Sequence, residues 1–186
     1  MRMRQLVNIM LVLFVMSCNN NAASNSKVDA DSTGTKVAPA QNIEYAYMLP
    51  EPYEDWQPGN KIHAANVMNS LKAYENGDID ACIAAFGDTV VLRFDGYRNR
   101  VSKDSLKTIF SNSRAQLASE KIYMDDWESV VSKDGKTEYV TLWYKQVTTT
   151  KKGVTDSLTM VDDLKIEEGK IVAIDQKIQH YPMGKK

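Results

Sequence analysis

Cysteine, histidine and proline are scarce in this chain, which has two, two and five of them in 186 residues. Two cysteines, Cys18 and Cys82, give no disulfide framework and no cysteine metal site. His63 and His180 are far apart, and a lone histidine in a sheet reads first as structural. There is no HExxH, no GxSxG, no P-loop and no dinucleotide fingerprint, so zinc hydrolysis, nucleophile-elbow chemistry and nucleotide binding lose their usual signatures. No cofactor and no metal is expected. Lys and Arg form no cluster, and the formal net charge is −1, which argues against nucleic acid as a partner. The chain also has no internal repeat and no apolar run of the roughly 20 residues that a spanning helix needs.

What is present begins at the N-terminus. Arg2 and Arg4 precede an apolar stretch, Leu6 to Met16, broken only by Asn8 and ended by Asn19, Asn20 and Asn21. A charged segment followed by a short apolar one is the pattern of a signal peptide. Its end, Val15-Met16-Ser17-Cys18, resembles the lipobox of bacterial lipoproteins. That resemblance implies removal of residues 1–17 and lipid on Cys18 as the mature N-terminus, held to a membrane by several acyl chains. The expected location is the cell envelope, lipid-anchored, with the outer membrane facing the periplasm favoured. Loss of Arg2 and Arg4 takes the formal charge from −1 to −3. With Cys18 lipidated, Cys82 has no partner in its own chain.

Residues 18–42 are mostly Asn, Ala, Ser, Asp, Thr, Gly and Lys, too poor in large apolar side chains to order themselves, and read as a tether. Residues 43–60 mix Tyr45, Tyr47, Met48, Leu49, Tyr53 and Trp56 with Pro50, Pro52 and Pro58, which suits an irregular arm packed along a domain. A lid over a pocket is the other reading of that arm.

Residues 61–186 have the size of one domain. Ala64, Val67, Met68, Leu71 and Tyr74 recur at helical spacing and Gly77 supplies a left-handed stop. Asp78 can cap a short second helix with Cys82, Ile83 and Phe86, and Ser102 a third with Leu106, Ile109, Phe110 and Leu117 on one side. A strand is expected over about 89–95. Period-two segments then fill about 122–132, 137–150, 154–167 and 170–181, broken at Asp134-Gly135, Lys152-Gly153 and Glu168-Gly169. Helices followed by a meander predict an α+β fold, with three helices packed on one face of a curved antiparallel sheet.

That order is similar to the nuclear transport factor 2-like superfamily, which includes SnoaL-like polyketide cyclases and ketosteroid isomerases. The local matches are Gly77-Asp78-Ile79-Asp80 leading to Phe86, and Asp162-Asp163-Leu164-Lys165-Ile166 leading to Gly169-Lys170-Ile171. The resemblance implies a cone whose sheet wraps a helix and leaves a pocket at its open end. Alternation places Leu158, Met160, Leu164 and Ile166 inward, and Asp162 in phase with them. The same phase gives Val140, Leu142 and Tyr144, then Val90, Leu92 and Phe94, then Val172, Ile174 and Ile178 with Gln176 and His180. Trp127 and Trp143 fall on the outer face, where a homodimer contact is the expected use. Asp125 and Asp126, as adjacent strand residues, would point to opposite faces and could not share a cation.

Asp162 aligns with the protonated Asp in the oxyanion hole of the isomerases. Their Tyr position is Ser70 here and their base position is Phe94, so the resemblance does not carry isomerase activity with it. Three functions stay open. The first is a non-catalytic module binding a small, largely apolar ligand through Asp162, Tyr144, Gln176, Phe94 and His180. The second is a SnoaL-like enzyme with Asp162 as acid or base, and the third an envelope assembly module using its outer face.

Overall fold

The computed structural model describes residues 45–49, 53 and 55–180, and only the backbone of His180. The segments expected to form a signal peptide and a tether, with Cys18 between them, lie outside the described residues. No described helix is long and apolar enough to cross a membrane.

The helices begin and end where local chemistry satisfies their free backbone groups. Helix α1 (Lys61–Asn76) starts at Asn60, whose side chain accepts from the Ile62 N–H at 2.9 Å. It stops at Gly77, whose φ of +83° is the left-handed cap conformation, with its N–H directed at the Ala73 and Tyr74 carbonyls. Asp78 caps α2 (Ile79–Ala84) by accepting from the Ala81 N–H. Ser102 caps α3 (Lys103–Arg114) through Ser105.

Seven strands form one sheet: β1 (Gln57–Pro58), β2 (Phe86–Phe94), β3 (Tyr97–Ser102), β4 (Leu117–Val131), β5 (Glu138–Thr150), β6 (Thr155–Glu167) and β7 (Lys170–His180). Their order is β1-β4-β5-β6-β7-β2-β3, antiparallel throughout except where β7 pairs with β2. The sheet is curved and unclosed, and the helices cover its concave face. The core sits between them: Ala64 and Val67 of α1, Leu106 of α3, and the inward residues of β2, β5 and β6 are buried.

Several sequence expectations need correction. Phe86 and Leu117 begin strands rather than ending helices, because the chain turns out of α2 and α3 at Ala85 and Ala115. Strand β3 was not foreseen, although Asp95-Gly96 is a strong hairpin dipeptide. Both residues have positive φ, 25° and 86°, as a two-residue turn of this kind requires. The arm is not wholly irregular, since Gln57 and Pro58 pair with Val131 and Val130.

Two bulges reverse the expected facing. Met124 pairs with Tyr144 but Asp126 with Trp143, so Asp125 is an extra residue in β4 and Trp127 comes opposite the buried Leu142, on the concave side. Trp143 keeps the opposite phase. In β7, Ile171 pairs with Ile166 but Ala173 with Lys165, so Ile171 takes the inward place expected for Val172. Val172 instead lines the outer groove. A one-residue shift exchanges faces because the side-chain period is two.

Candidate functional site

The concave face of β5, β6, β7 and β2 and the facing sides of all three helices enclose a cavity of about 370 Å³. That is within the roughly 300–1,000 Å³ usual for small-molecule sites. Its walls are mainly apolar, with Leu71 and Val67 from α1, Phe110 and Ile109 from α3, Phe94 from β2, and Leu158, Met160 and Ile178 from the sheet. Phe110 lies edge-on to Tyr74 and Phe86, with centroids 5.3 and 5.9 Å apart, which fixes the aromatic side of the wall.

Of the residues singled out from sequence, Asp162, Tyr144, Gln176 and Phe94 all line this cavity. Asp162 and Gln176 are register partners across β6 and β7, and Tyr144 lies one strand away opposite Met160. The Tyr144 hydroxyl donates to Asp162 Oδ2 at 2.7 Å. Asp162 Oδ1 is buried and has no hydrogen-bond partner. Burial is the main reason that the Asp162 carboxyl is pushed up from 3.8 to about 6. Tyr144 and Gln176 both favour its charged form and reduce the rise, as does Lys177, while Asp163 adds to it. Burial, and then the charge of Asp162, push the Tyr144 hydroxyl well above its ordinary 10.0, so this proton stays on the phenol.

The two positions aligned with the isomerase machinery do other work. Ser70 is buried on α1 and donates to the Cys82 carbonyl at 2.8 Å, joining α1 to α2. Phe94 contributes only apolar surface, and Asp95 occupies the β2–β3 turn. Burial raises the Cys82 thiol above its ordinary value, so it is a poor nucleophile. His63 pairs with Glu138 at 2.7 Å and is not part of the cavity wall. The side chain of His180 is outside the described residues; its backbone pairs with Leu158.

Sequence reading missed a second polar group of the cavity. Gln146, in phase with Tyr144 and two residues further along β5, donates its amide N–H to Glu120 Oε1 at 2.6 Å. Glu120 is buried on β4, its carboxyl raised chiefly by burial, with Arg114 Nε 4.0 Å from Oε2. Tyr74 and Ser113 line the same wall. Parity along β5 would have exposed Gln146. Glu120 was hidden because its strand starts earlier than the alternating pattern does.

A wider groove of about 720 Å³ crosses the outer face, between Trp56, Tyr139, Arg93 and Arg100. Its charges largely neutralise one another, Lys177 with Asp163, Arg93 with Asp175 and Lys165 with Glu167. Exposed pairs of this kind carry little energy and no unsatisfied group. The buried, unpartnered oxygen of Asp162 makes the inner cavity the better site. Among the described residues no cluster of His, Cys, Asp and Glu could hold a metal ion.

No protein-family model matches the chain, and no curated protein matches it in sequence. Solved structures match it in shape. A LEH-like epoxide hydrolase of Mycobacterium tuberculosis covers 64% of this chain and 84% of its own, at 16% identity and a TM-score of 0.53. AusH of Aspergillus nidulans covers 66% and 87%, at 17% identity and 0.53. A nuclear transport factor 2-like protein of Burkholderia pseudomallei covers 63% and 90%, at 15% identity and 0.50. At such identities the likeness concerns architecture alone: helices on the concave face of a curved, unclosed, mostly antiparallel sheet, which is the nuclear transport factor 2-like fold.

Proposed function

We propose that the protein is an envelope lipoprotein whose cavity binds a small, largely apolar molecule without transforming it. The observation that carries this reading is the largely apolar wall in which, among the described residues, Asp162 is the single lining carboxylate and no second group is placed to pass a proton across a bound molecule. Tyr144 holds its proton too tightly to serve as a base. Native mass spectrometry of the full chain, released from membranes in mild detergent, tests the proposal. A retained small molecule, or a rise in melting temperature with apolar probes, is expected. No added mass and no response to any apolar probe would refute it.

The sequence from Val15 to Cys18 supports the anchored part of the reading. Metabolic labelling with a radioactive fatty acid should mark the protein, and Cys18→Ala should abolish the label. An unlabelled wild-type chain would remove the anchor from the proposal.

One observation favours a catalytic second reading, in the manner of SnoaL-like enzymes. A carboxyl pushed up to about 6 is poised to give or take a proton near neutrality. In that case Asp162→Asn should abolish turnover of activated ketone or ester probes while the fold persists. Equal turnover by both proteins would exclude Asp162 as the acid or base.

A further inference from the structure

The cavity's hydrogen-bonding groups are not symmetric between donors and acceptors. Tyr144 has one O–H, and it is directed at Asp162 Oδ2. Gln146 has its amide nitrogen directed at Glu120, an orientation the acceptor-only carboxylate demands. The hydroxyl of Ser70 is committed to the Cys82 carbonyl. What is left over at Asp162 is Oδ1, a carboxylate oxygen without a hydrogen-bond partner on a cavity-lining residue only 6% exposed, with the Gln176 amide close enough to favour the charged carboxyl. A buried acceptor in that state is costly until a donor reaches it.

We infer that the occupant is an apolar alcohol or amine, seated with its O–H or N–H group donated to Asp162 Oδ1 and its hydrocarbon body against Phe94, Phe110 and Leu158. This rests on the proposal that the cavity binds a small apolar molecule, and specifies its polar head. A ketone, ether or ester of the same shape offers Asp162 only an acceptor. It would leave Oδ1 unsatisfied, and below its titration range the carboxyl's own proton would be needed to meet it. Tyr144 contributes by fixing the rotamer: with Oδ2 held by the phenol, Oδ1 is the oxygen left for a donor.

Four matched probes test the inference with the full chain in detergent at pH 7.5: 2-naphthylmethanol, 2-naphthylmethylamine, 2-acetonaphthone and 2-methylnaphthalene. Binding is read by calorimetry. The alcohol and the amine should bind roughly tenfold to a hundredfold more tightly than the ketone and the hydrocarbon, the range for a hydrogen bond to a charged group. In Asp162→Asn the amide oxygen takes over acceptance from Tyr144 and the NH₂ faces the cavity, so preference should invert towards the ketone. If all four bind alike, the donor inference is overturned while ligand binding stands. A ketone preference in the wild-type protein overturns it too, by making Asp162 the donor. If none binds, both proposals fall. The wild-type ranking decides the matter even if the variant does not fold.

Discussion

Asp162→Asn should stabilise the protein at alkaline pH and leave it nearly unchanged in acid. Asp162 titrates at about 6 in the folded chain against 3.8 ordinarily. A carboxyl whose folded pKa is raised binds its proton more tightly when folded. Stability from this group is therefore greatest below about 3.8, falls as pH rises through the interval to about 6, and is constant above it. A rise of this size is worth about 3 kcal/mol at 1.36 kcal/mol per pKa unit, an upper limit for what a neutral isostere recovers. Asn keeps a carbonyl to accept from Tyr144, so the bond that holds the rotamer survives. An unpaired amide N–H in the cavity offsets part of the gain, by about 1 kcal/mol. Urea unfolding of both proteins from pH 4 to 8 should give a difference near zero at pH 4, rising to about 2 kcal/mol in favour of the variant by pH 7. Other groups with shifted titrations, Glu120 and Asp134 among them, are common to both chains and cancel in that difference. A difference that does not vary with pH, or one that grows towards acid, would show that burial does not govern this carboxyl.

Tyr144→Phe should act in the opposite sense. It removes the phenol's hydrogen bond to a buried carboxylate, costing about 1–3 kcal/mol at pH 8 and less at pH 4, and the ¹³Cγ resonance of Asp162 should titrate at higher pH than in the wild type. Leu142→Ala, at a site 1% exposed on the sheet's concave face, should cost about 2–5 kcal/mol in urea unfolding and enlarge the cavity. Gly77→Ala places a Cβ at φ +83° with no clash nearer than the Arg114 side chain at 3.8 Å. The backbone conformation alone should then cost about 1–2 kcal/mol, read as an earlier urea midpoint with an unchanged slope.

Much of the cavity was legible because it depends on period-two alternation. Leu158, Met160, Asp162, Leu164 and Ile166 keep phase along β6, so a polar residue in that series had to face the wall it now faces. Capping residues were equally readable, as Asn60, Asp78 and Ser102 act through contacts within three positions. Facing failed for Trp127 and Val172, since a bulge is set by partner strands that no local pattern reveals. The parallel pairing of β2 with β7 was hidden for the same reason. The free state of Asp162 Oδ1 depends on where Tyr144 and Gln176 come to rest, and only the assembled sheet decides that.

The position of β7 in the sheet has a consequence for how the protein comes to exist. It lies between β6 and β2, joining Ile174 both to Leu164 and to Leu92, and so links early chain to late. Until its last residues are available, β2 and β6 each present an open edge, and unpaired edges attract strands from other molecules. Loop closure over that separation slows folding relative to a local hairpin. The cavity, with Gln176 in its wall, is complete only when β7 has docked. Truncation within β7 should therefore yield not a weaker binder but an aggregating chain with two exposed edges.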